Sequence, residues 1–135
     1  MYLWDANIVR HFAQGHATLR LHLLRVRWSD IALPSVVVAE ILRGRCDAVL
    51  KASLEDAPLA HRRLLETLQM LARFHVVAFD QSCAEVMARW RRQQRRRKRY
   101  ADLMIAAIAM AGRHILVTRN RTDFVDLLPP AQLVN

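Results

Sequence analysis

The chain has 135 residues, a formal net charge of +9 and 53% hydrophobic residues. The length fits one domain, expected to span residues 1–135, which can bury a core without a disulfide or metal staple. The apolar fraction excludes a disordered basic tail. Because Lys51 and Lys98 are the only lysines, nearly all of the basic residues are arginines. Arginine favours bidentate contact with phosphate or carboxylate, so the charge predicts either a polyanionic or an acidic protein partner.

The cysteines and the start of the chain bear on the cellular compartment. Cys46 and Cys83 lack the CxxC spacing of metal or redox sites, and we expect two reduced, mostly buried thiols. No basic segment precedes a long apolar run at the start, and no apolar stretch is long enough to span a bilayer. The sequence therefore predicts a cytoplasmic protein without membrane contact.

The first part of the chain alternates strand and helix patterns. Residues 1–5 are an apolar run that ends in an acid, which predicts a buried strand. Apolar side chains recur at helical spacing over residues 7–13 and 17–28, so two helices are expected to follow. Residues 30–34 predict a second short strand.

The middle of the chain is predominantly helical. The valines of residues 35–43 favour a strand, but Ser35 is a good N-cap and Gly44 a good C-cap, so we predict a helix. Residues 45–73 have a helical composition with a break near residues 56–58.

The last part of the chain returns to the alternating pattern. Residues 75–79 predict a third buried strand, and Asp80 is expected to cap a helix that runs to about residue 98. Later expected elements are a buried helix at 101–112, a strand at 114–118, a loop with a short helix at 119–128 and an edge strand at 131–135. Such alternation predicts an α/β fold with a mainly parallel sheet, whose functional crevice lies beyond the carboxyl ends of the strands.

Several acids are placed at this crevice by the predicted elements. Asp5 ends the first strand, Glu40 lies in an otherwise apolar helix, and Asp102 begins the buried helix. Asp123 follows the fourth strand, with Asn120 nearby. Carboxylates in this arrangement suit Mg²⁺ or Mn²⁺, which prefer oxygen ligands. Taken singly, Asp5 and Asp102 are equally well explained as helix caps and Asp123 as a loop acid, whereas Glu40 needs a polar partner.

Three segments resemble motifs of the PIN-domain ribonucleases. The opening motif of that family is similar to MYLWDANI, and its second motif is similar to SVVVAEILRG. Its third and fourth motifs, run together, are similar to ADLMIAAIAMAGRHILVTRNRTDF. The length and the helical middle resemble the VapC-type toxins of bacterial toxin–antitoxin pairs. The resemblance implies a three-layer α/β/α sandwich with a mainly parallel central sheet of four to five short strands.

The same resemblance implies a function and a site. It implies an endoribonuclease that hydrolyses RNA phosphodiester bonds with a water activated by Mg²⁺, or by Mn²⁺ as the alternative. The implied metal ligands are Asp5, Glu40, Asp102 and Asp123. The remaining implied site residues are Asn120, which orients the water, and the supporting Thr118 and Asn7. The implied partners are an RNA substrate, a cognate VapB-like antitoxin that inserts a segment near the acids, and a second copy of the chain in a homodimer.

The chain departs from the family pattern at Ala6, where the family usually has Thr or Ser. The missing hydroxyl leaves a second hypothesis open, in which the protein is a catalytically weak PIN-fold module that binds RNA or protein. A third is a PIN-type nuclease outside any toxin pair.

A basic run precedes Asp102 and is another departure from the family pattern. Residues 89–99 read RWRRQQRRRKR. In a helix, the like charges repel at i, i+4 spacing unless phosphates or an acidic antitoxin offset them. A solvated helix end is the structural alternative. The residues predicted to contact RNA or antitoxin are Arg91, Arg92, Arg95, Arg96 and Arg99.

Overall fold

The structure is a computed structural model that describes residues 1–93 and 99–135. Strands and helices alternate in it as the sequence predicts. The strands are β1 (Tyr2–Trp4), β2 (Ile31–Pro34), β3 (His75–Val77), β4 (Ile115–Val117) and β5 (Leu133–Val134). The helices are α1 (Ala6–Ala13), α2 (Ala17–Leu23), α3 (Ser35–Lys51), α4 (Ala57–Leu71), α5 (Gln81–Arg92) and α6 (Tyr100–Gly112).

The five strands form one sheet in the order β3-β2-β1-β4-β5, and every neighbouring pair is parallel. Tyr2 pairs with Ile31 on one side and with Ile115 on the other. The first strand of the chain is therefore the central strand of the sheet. Because the strand order reverses direction at β1, a crevice opens between the carboxyl ends of β1 and β4.

Helices cover the sheet, as expected for an α/β sandwich. Right-handed crossovers assign α1 to α4 to one face of the sheet and α5 and α6 to the other. Most of the packing agrees, since α1 contacts α2 and α3, α3 contacts α4, and α5 contacts α6. Helix α3 also contacts α6, which brings the two groups of helices together. The predicted α/β fold with a mainly parallel central sheet of four to five short strands is confirmed.

The core lies on both sides of the central strands. Leu3, Leu33 and Leu116 are fully buried in β1, β2 and β4. Helix α6 buries a continuous segment, Ile105 to Ala109, which confirms the prediction of a buried helix. Next to α1, an aromatic cluster closes the core, with ring contacts among Trp4, Phe12, Trp28 and Phe74.

Three helix ends differ from the prediction. Helix α5, which was expected to run to about residue 98, ends at Arg92 with Gln93 as its C-cap. Gly44 does not end a helix, because α3 continues through it to Lys51. A Cβ at Gly44 would meet no atom within 4 Å, so the position is simply an exposed helical residue. Helix α2 ends at Leu23 rather than near residue 28, and a 3₁₀ turn at Trp28–Asp30 leads into β2.

Two predictions of burial are also wrong. His75 and Val76 of β3 are exposed, because β3 is an edge strand of the sheet. Cys83 is buried, and burial raises the pKa of its thiol, but Cys46 is exposed on α3.

No helix within residues 1–93 and 99–135 is long and apolar enough to cross a membrane.

Candidate active site

The crevice between β1 and β4 is organised around Asp5, the residue that directly follows β1. Asp5 is 5% exposed and is the N-cap of α1, where its Oδ1 accepts a hydrogen bond from the Ile8 backbone N–H at 2.9 Å. The fully buried Thr118 hydroxyl, at the end of β4, donates to Oδ2 of Asp5. Asp5 therefore has the cap role that the sequence left open, and the cap fixes its carboxylate at the mouth of the crevice.

Thr118 links Asp5 to the loop that follows β4. Its Oγ1 accepts a hydrogen bond from the Asn120 backbone N–H at 3.0 Å while it donates to Asp5. Directly after Asn120 the backbone enters a 3₁₀ turn, Arg121–Asp123, which returns Asp123 to the crevice. The hydroxyl thus determines where both Asp5 and the start of this loop lie.

A cleft of about 220 Å³ lies at this point and collects most of the predicted site residues. They come from four separate parts of the chain: the start of α1, the middle of α3, the first turn of α6 and the loop after β4. The predicted residues that line the cleft are Asp5, Asn7, Glu40, Arg99, Asp102, Asn120 and Asp123. Because all four predicted acids line it, the cleft is strongly acidic, and we call it the acidic cleft.

Glu40 has a cationic partner inside the acidic cleft. Arg99, the residue before α6, donates from its Nη2 to Oε1 of Glu40 at 3.2 Å. The Glu40 side chain is 32% exposed and that of Arg99 is 74% exposed. The expectation that Glu40 needs a polar partner is met by a residue 59 positions away.

The donor set of the acidic cleft suits a hard divalent cation in kind. Four carboxylates and the Asn120 amide supply the oxygen ligands that Mg²⁺ and Mn²⁺ prefer. No three His, Cys, Asp or Glu side chains among the described residues are grouped closely enough to hold a metal ion as they stand. A bound cation would therefore have to draw these carboxylates together, and Glu40 would have to leave Arg99.

A second and larger cleft, of about 1010 Å³, adjoins the acidic cleft and shares Ala6, Arg10, Glu40 and Ile41 with it. Its apolar lining includes Phe12, Leu19 and Met70. Arginines line it as well, and none of them is in an ion pair within the described part of the chain: Arg10, Arg20, Arg45, Arg63 and Arg73. We call this cleft the arginine groove.

The residues of the predicted basic run have different locations. Arg99 lines the acidic cleft. Arg91 and Arg92 are exposed at the end of α5, where Arg92 lines a separate cleft against α6. Arg95 and Arg96 fall in the segment 94–98, outside the described residues.

The sequence reasoning missed Arg10, which lines both clefts. Its Nη1 donates to Oδ1 of Asn7, one turn earlier on α1, at 3.5 Å. The spacing of Arg10 from the predicted site residue Asn7 was the available signal, because residues three apart share a helix face. The next residue, His11, packs its ring 4.5 Å from that of His16. Loss of hydration, then the charges of His16, Arg119 and Arg10, lower the pKa of His11 below its ordinary value.

Comparisons with known proteins agree with this fold. The PIN domain family model matches residues 2–127. The chain is similar in fold to a chain of DNA-bound VapBC from Salmonella typhimurium, with a TM-score of 0.76 and 21% identity over 99% of this chain and 96% of that chain. It is also similar to a chain of FitAcB from Neisseria gonorrhoeae, with a TM-score of 0.72 and 24% identity over 100% of this chain and 97% of that chain.

A third structure is more similar in sequence over a shorter stretch. It is VapBC-5 from Mycobacterium tuberculosis, a member of the VapBC family of toxin–antitoxin systems, with 31% identity and a TM-score of 0.54 over 76% of this chain and 78% of that chain. No curated protein is significantly similar to the chain in sequence. The family match covers nearly the whole chain and includes all four acids of the acidic cleft, and we conclude that the chain belongs to the PIN domain family.

Proposed function

We propose that the protein is a metal-dependent endoribonuclease that acts as a VapC-type toxin. The observation that carries the proposal is the acidic cleft, where four acids from distant parts of the chain converge at the strand ends of a PIN fold. Like charges brought together in this way repel one another unless a cation neutralises them. A cluster of acids at the topological switch point of the sheet is explained by a metal site better than by stability.

The chain's own residues would prepare the site in two ways. Asp5, Glu40, Asp102 and Asp123 would hold Mg²⁺, or Mn²⁺ as the alternative, which would increase the acidity of water and offset charge on the phosphate. Thr118 and the Ile8 N–H hold the Asp5 carboxylate in one orientation, so little reorganisation is needed at that ligand. Asn120 presents its amide beside these acids and would orient the attacking water.

The test is RNA cleavage by the purified protein. We expect Mg²⁺-dependent cleavage of a labelled single-stranded RNA, its loss with EDTA, and its loss in Asp5→Asn and Asp102→Asn. Asp47→Asn is the matched control, because Asp47 is an exposed acid on α3 outside the lining of the acidic cleft. Equal cleavage by all of these proteins would overturn the assignment of the site. RNA bound but never cut would favour the alternative of a catalytically weak binding module.

We further propose that the arginine groove binds the inhibitory segment of a cognate antitoxin. Of the structural neighbours described above, VapBC-5 is a member of the VapBC family of toxin–antitoxin systems, and the Salmonella typhimurium protein is also a VapBC. A groove lined by both apolar side chains and arginines complements an amphipathic segment that carries acids. Because the groove adjoins the acidic cleft, such a segment would also cover the entry to the acids. Homodimer formation, which the family resemblance implies, stays a prediction.

Size-exclusion chromatography coupled to light scattering tests the partner proposal. We expect a stable complex when the chain is co-expressed with the product of a small adjacent reading frame, and inhibition of RNA cleavage in that complex. The absence of any such reading frame would favour a nuclease outside a toxin pair.

A further inference from the structure

The ion pair between Arg99 and Glu40 occupies one of the four acids that are proposed to bind the metal. Arg99 donates to Glu40 at 3.2 Å, and both residues line the acidic cleft. A cation that binds Glu40 must therefore compete with the guanidinium of Arg99. In the absence of a cation, the same guanidinium offsets one of the four converging carboxylates and reduces their repulsion.

Arg99 is also well placed to contact a substrate. Its side chain is 74% exposed, so it can leave Glu40 without breaking a packed core. Guanidinium groups bind phosphate with paired hydrogen bonds and remain charged at all physiological pH values. An RNA strand that enters the acidic cleft brings phosphates to the same rim, where Arg99 and Arg10 are the lining arginines among the described residues.

We propose that Arg99 is a phosphate-positioning residue, and that its ion pair with Glu40 keeps it from binding phosphate until a cation binds Glu40. In the free protein, Arg99 is paired with Glu40. When a divalent cation takes Glu40, Arg99 is released to hold a phosphate of the RNA beside the acids. Cation and RNA binding are therefore mutually reinforcing, because each ligand favours the state in which the ion pair is open. The inference rests on the proposed nuclease function. It adds that Glu40 exchanges Arg99 for the cation and that Arg99 then exchanges Glu40 for an RNA phosphate.

A double-mutant cycle tests, in the absence of any metal, whether Glu40 restrains Arg99 from binding RNA. The probe is a fluorescent 2′-O-methyl RNA that cannot be cleaved, and its affinity is measured by anisotropy in EDTA. Glu40→Gln releases Arg99, and we expect it to bind the RNA about two- to five-fold more tightly than the wild type, the range expected for an exposed ion pair. In an Arg99→Gln background, Glu40→Gln should have a much smaller effect. Equal effects of Glu40→Gln in both backgrounds would overturn the proposal.

The matched control is the pair Arg27 and Asp30, which has a similar distance of 3.0 Å and similar exposures of 83% and 35%. Neither residue lines the acidic cleft. Asp30→Asn releases an arginine in the same way, and we expect no change in RNA affinity that depends on Arg27. An equally large coupling between Asp30 and Arg27 in RNA affinity would show that a released arginine binds RNA at any position, and would overturn a specific role for Arg99.

Calorimetric titration with Mg²⁺ alone separates this inference from the proposed function. We expect Arg99→Gln to bind Mg²⁺ about two- to five-fold more tightly than the wild type, because the competing guanidinium is gone. Equal Mg²⁺ affinities of the wild type and the variant would overturn the proposed competition between Arg99 and the cation, but would not contradict the nuclease proposal. If neither protein binds Mg²⁺, the metal-dependent function fails, and the cycle in EDTA still decides whether Glu40 restrains Arg99.

Discussion

The acidic cleft and the arginine groove share a wall but are built in opposite ways. Four acids converge in the acidic cleft, and its central carboxylate is buried and tied to the end of β4 by Thr118. The arginine groove is lined by five arginines, most of them exposed, together with apolar side chains, and among the described residues only Glu40 and Glu66 add negative charge to it. The first is a cluster of acids suited to chemistry, fixed at Asp5 but with Glu40 paired to an exposed arginine, and the second is a charged surface suited to a partner.

The largest expected effect breaks the acidic cleft alone. Asp5→Asn keeps an N-cap for α1, because Asn also caps helices well, but removes a charge from the proposed metal ligands. We expect RNA cleavage to fall by about 100-fold or more, since even outer partners of metal ligands are worth about 10–100-fold. A single-turnover cleavage assay gives the rate, and circular dichroism checks the fold. Antitoxin binding at the groove should be unchanged, and its loss would contradict the separation of the two clefts.

A smaller effect is expected from the support beneath that acid. Thr118→Val is nearly isosteric but removes the donor to Asp5 and the acceptor for the Asn120 N–H. We expect about 10-fold slower cleavage and a loss of about 1–3 kcal/mol in the free energy of unfolding. Urea denaturation gives the second value. Thr118→Ser retains the hydroxyl and should recover most of the cleavage rate; if it does not, packing of the methyl group is the cause.

Substitutions in the arginine groove should reduce antitoxin binding without affecting cleavage in the acidic cleft. Arg45→Glu combined with Arg63→Glu reverses two charges of the arginine groove, neither of which lines the acidic cleft. We expect antitoxin affinity to fall about 10-fold, mainly through slower association at low salt, while the cleavage rate stays within about two-fold. Surface plasmon resonance at two salt concentrations measures the first effect. A matched loss of RNA cleavage would show that RNA, rather than an antitoxin segment, occupies the groove.

The smallest expected effect calibrates the others, because it lies outside both clefts. Asp80 caps α5, and hydrogen bonds from Ser82 and then Cys83 lower its pKa from 3.8 to about 2. A lowered folded-state pKa stabilises the protein above the ordinary value and ceases to do so as the pH falls toward 2. Asp80→Ala should therefore reduce the melting temperature by a few degrees at neutral pH, and the difference should shrink between pH 4 and pH 2. Cleavage and antitoxin binding should not change at neutral pH.

The sequence predicted the strands and the acids because both signals are local. An apolar run that ends in Asp5 is recognisable as a strand followed by a cap without any tertiary information. Burial of β3 was mispredicted because only the order of the strands, which composition does not encode, makes β3 an edge. Gly44 was mispredicted as a helix end because the packing of α3 against α4 carries the helix through it.

The candidate site was predictable to a similar degree. The motifs identified Asp5, Glu40, Asp102 and Asp123, and they line one cleft. The sequence also indicated that Glu40 needs a partner, but not which one, because Arg99 is distant in the chain and lies in a run of similar residues. Arg10 was missed because its membership of the site depends on how α1 is oriented against α3 and α6.

The link between Asp5 and Thr118 has a consequence for the synthesis of the protein. The two residues are separated by 113 positions, so Asp5 acquires its partner only after residue 118 has been synthesised. The central strand β1 likewise waits for β4 to pair on its second side. Chains fold from the N-terminus during translation, and a nascent chain that has not yet emerged past residue 123 lacks the assembled cleft. The proposed nuclease activity would therefore not be available to the nascent chain until residue 123 has emerged from the ribosome.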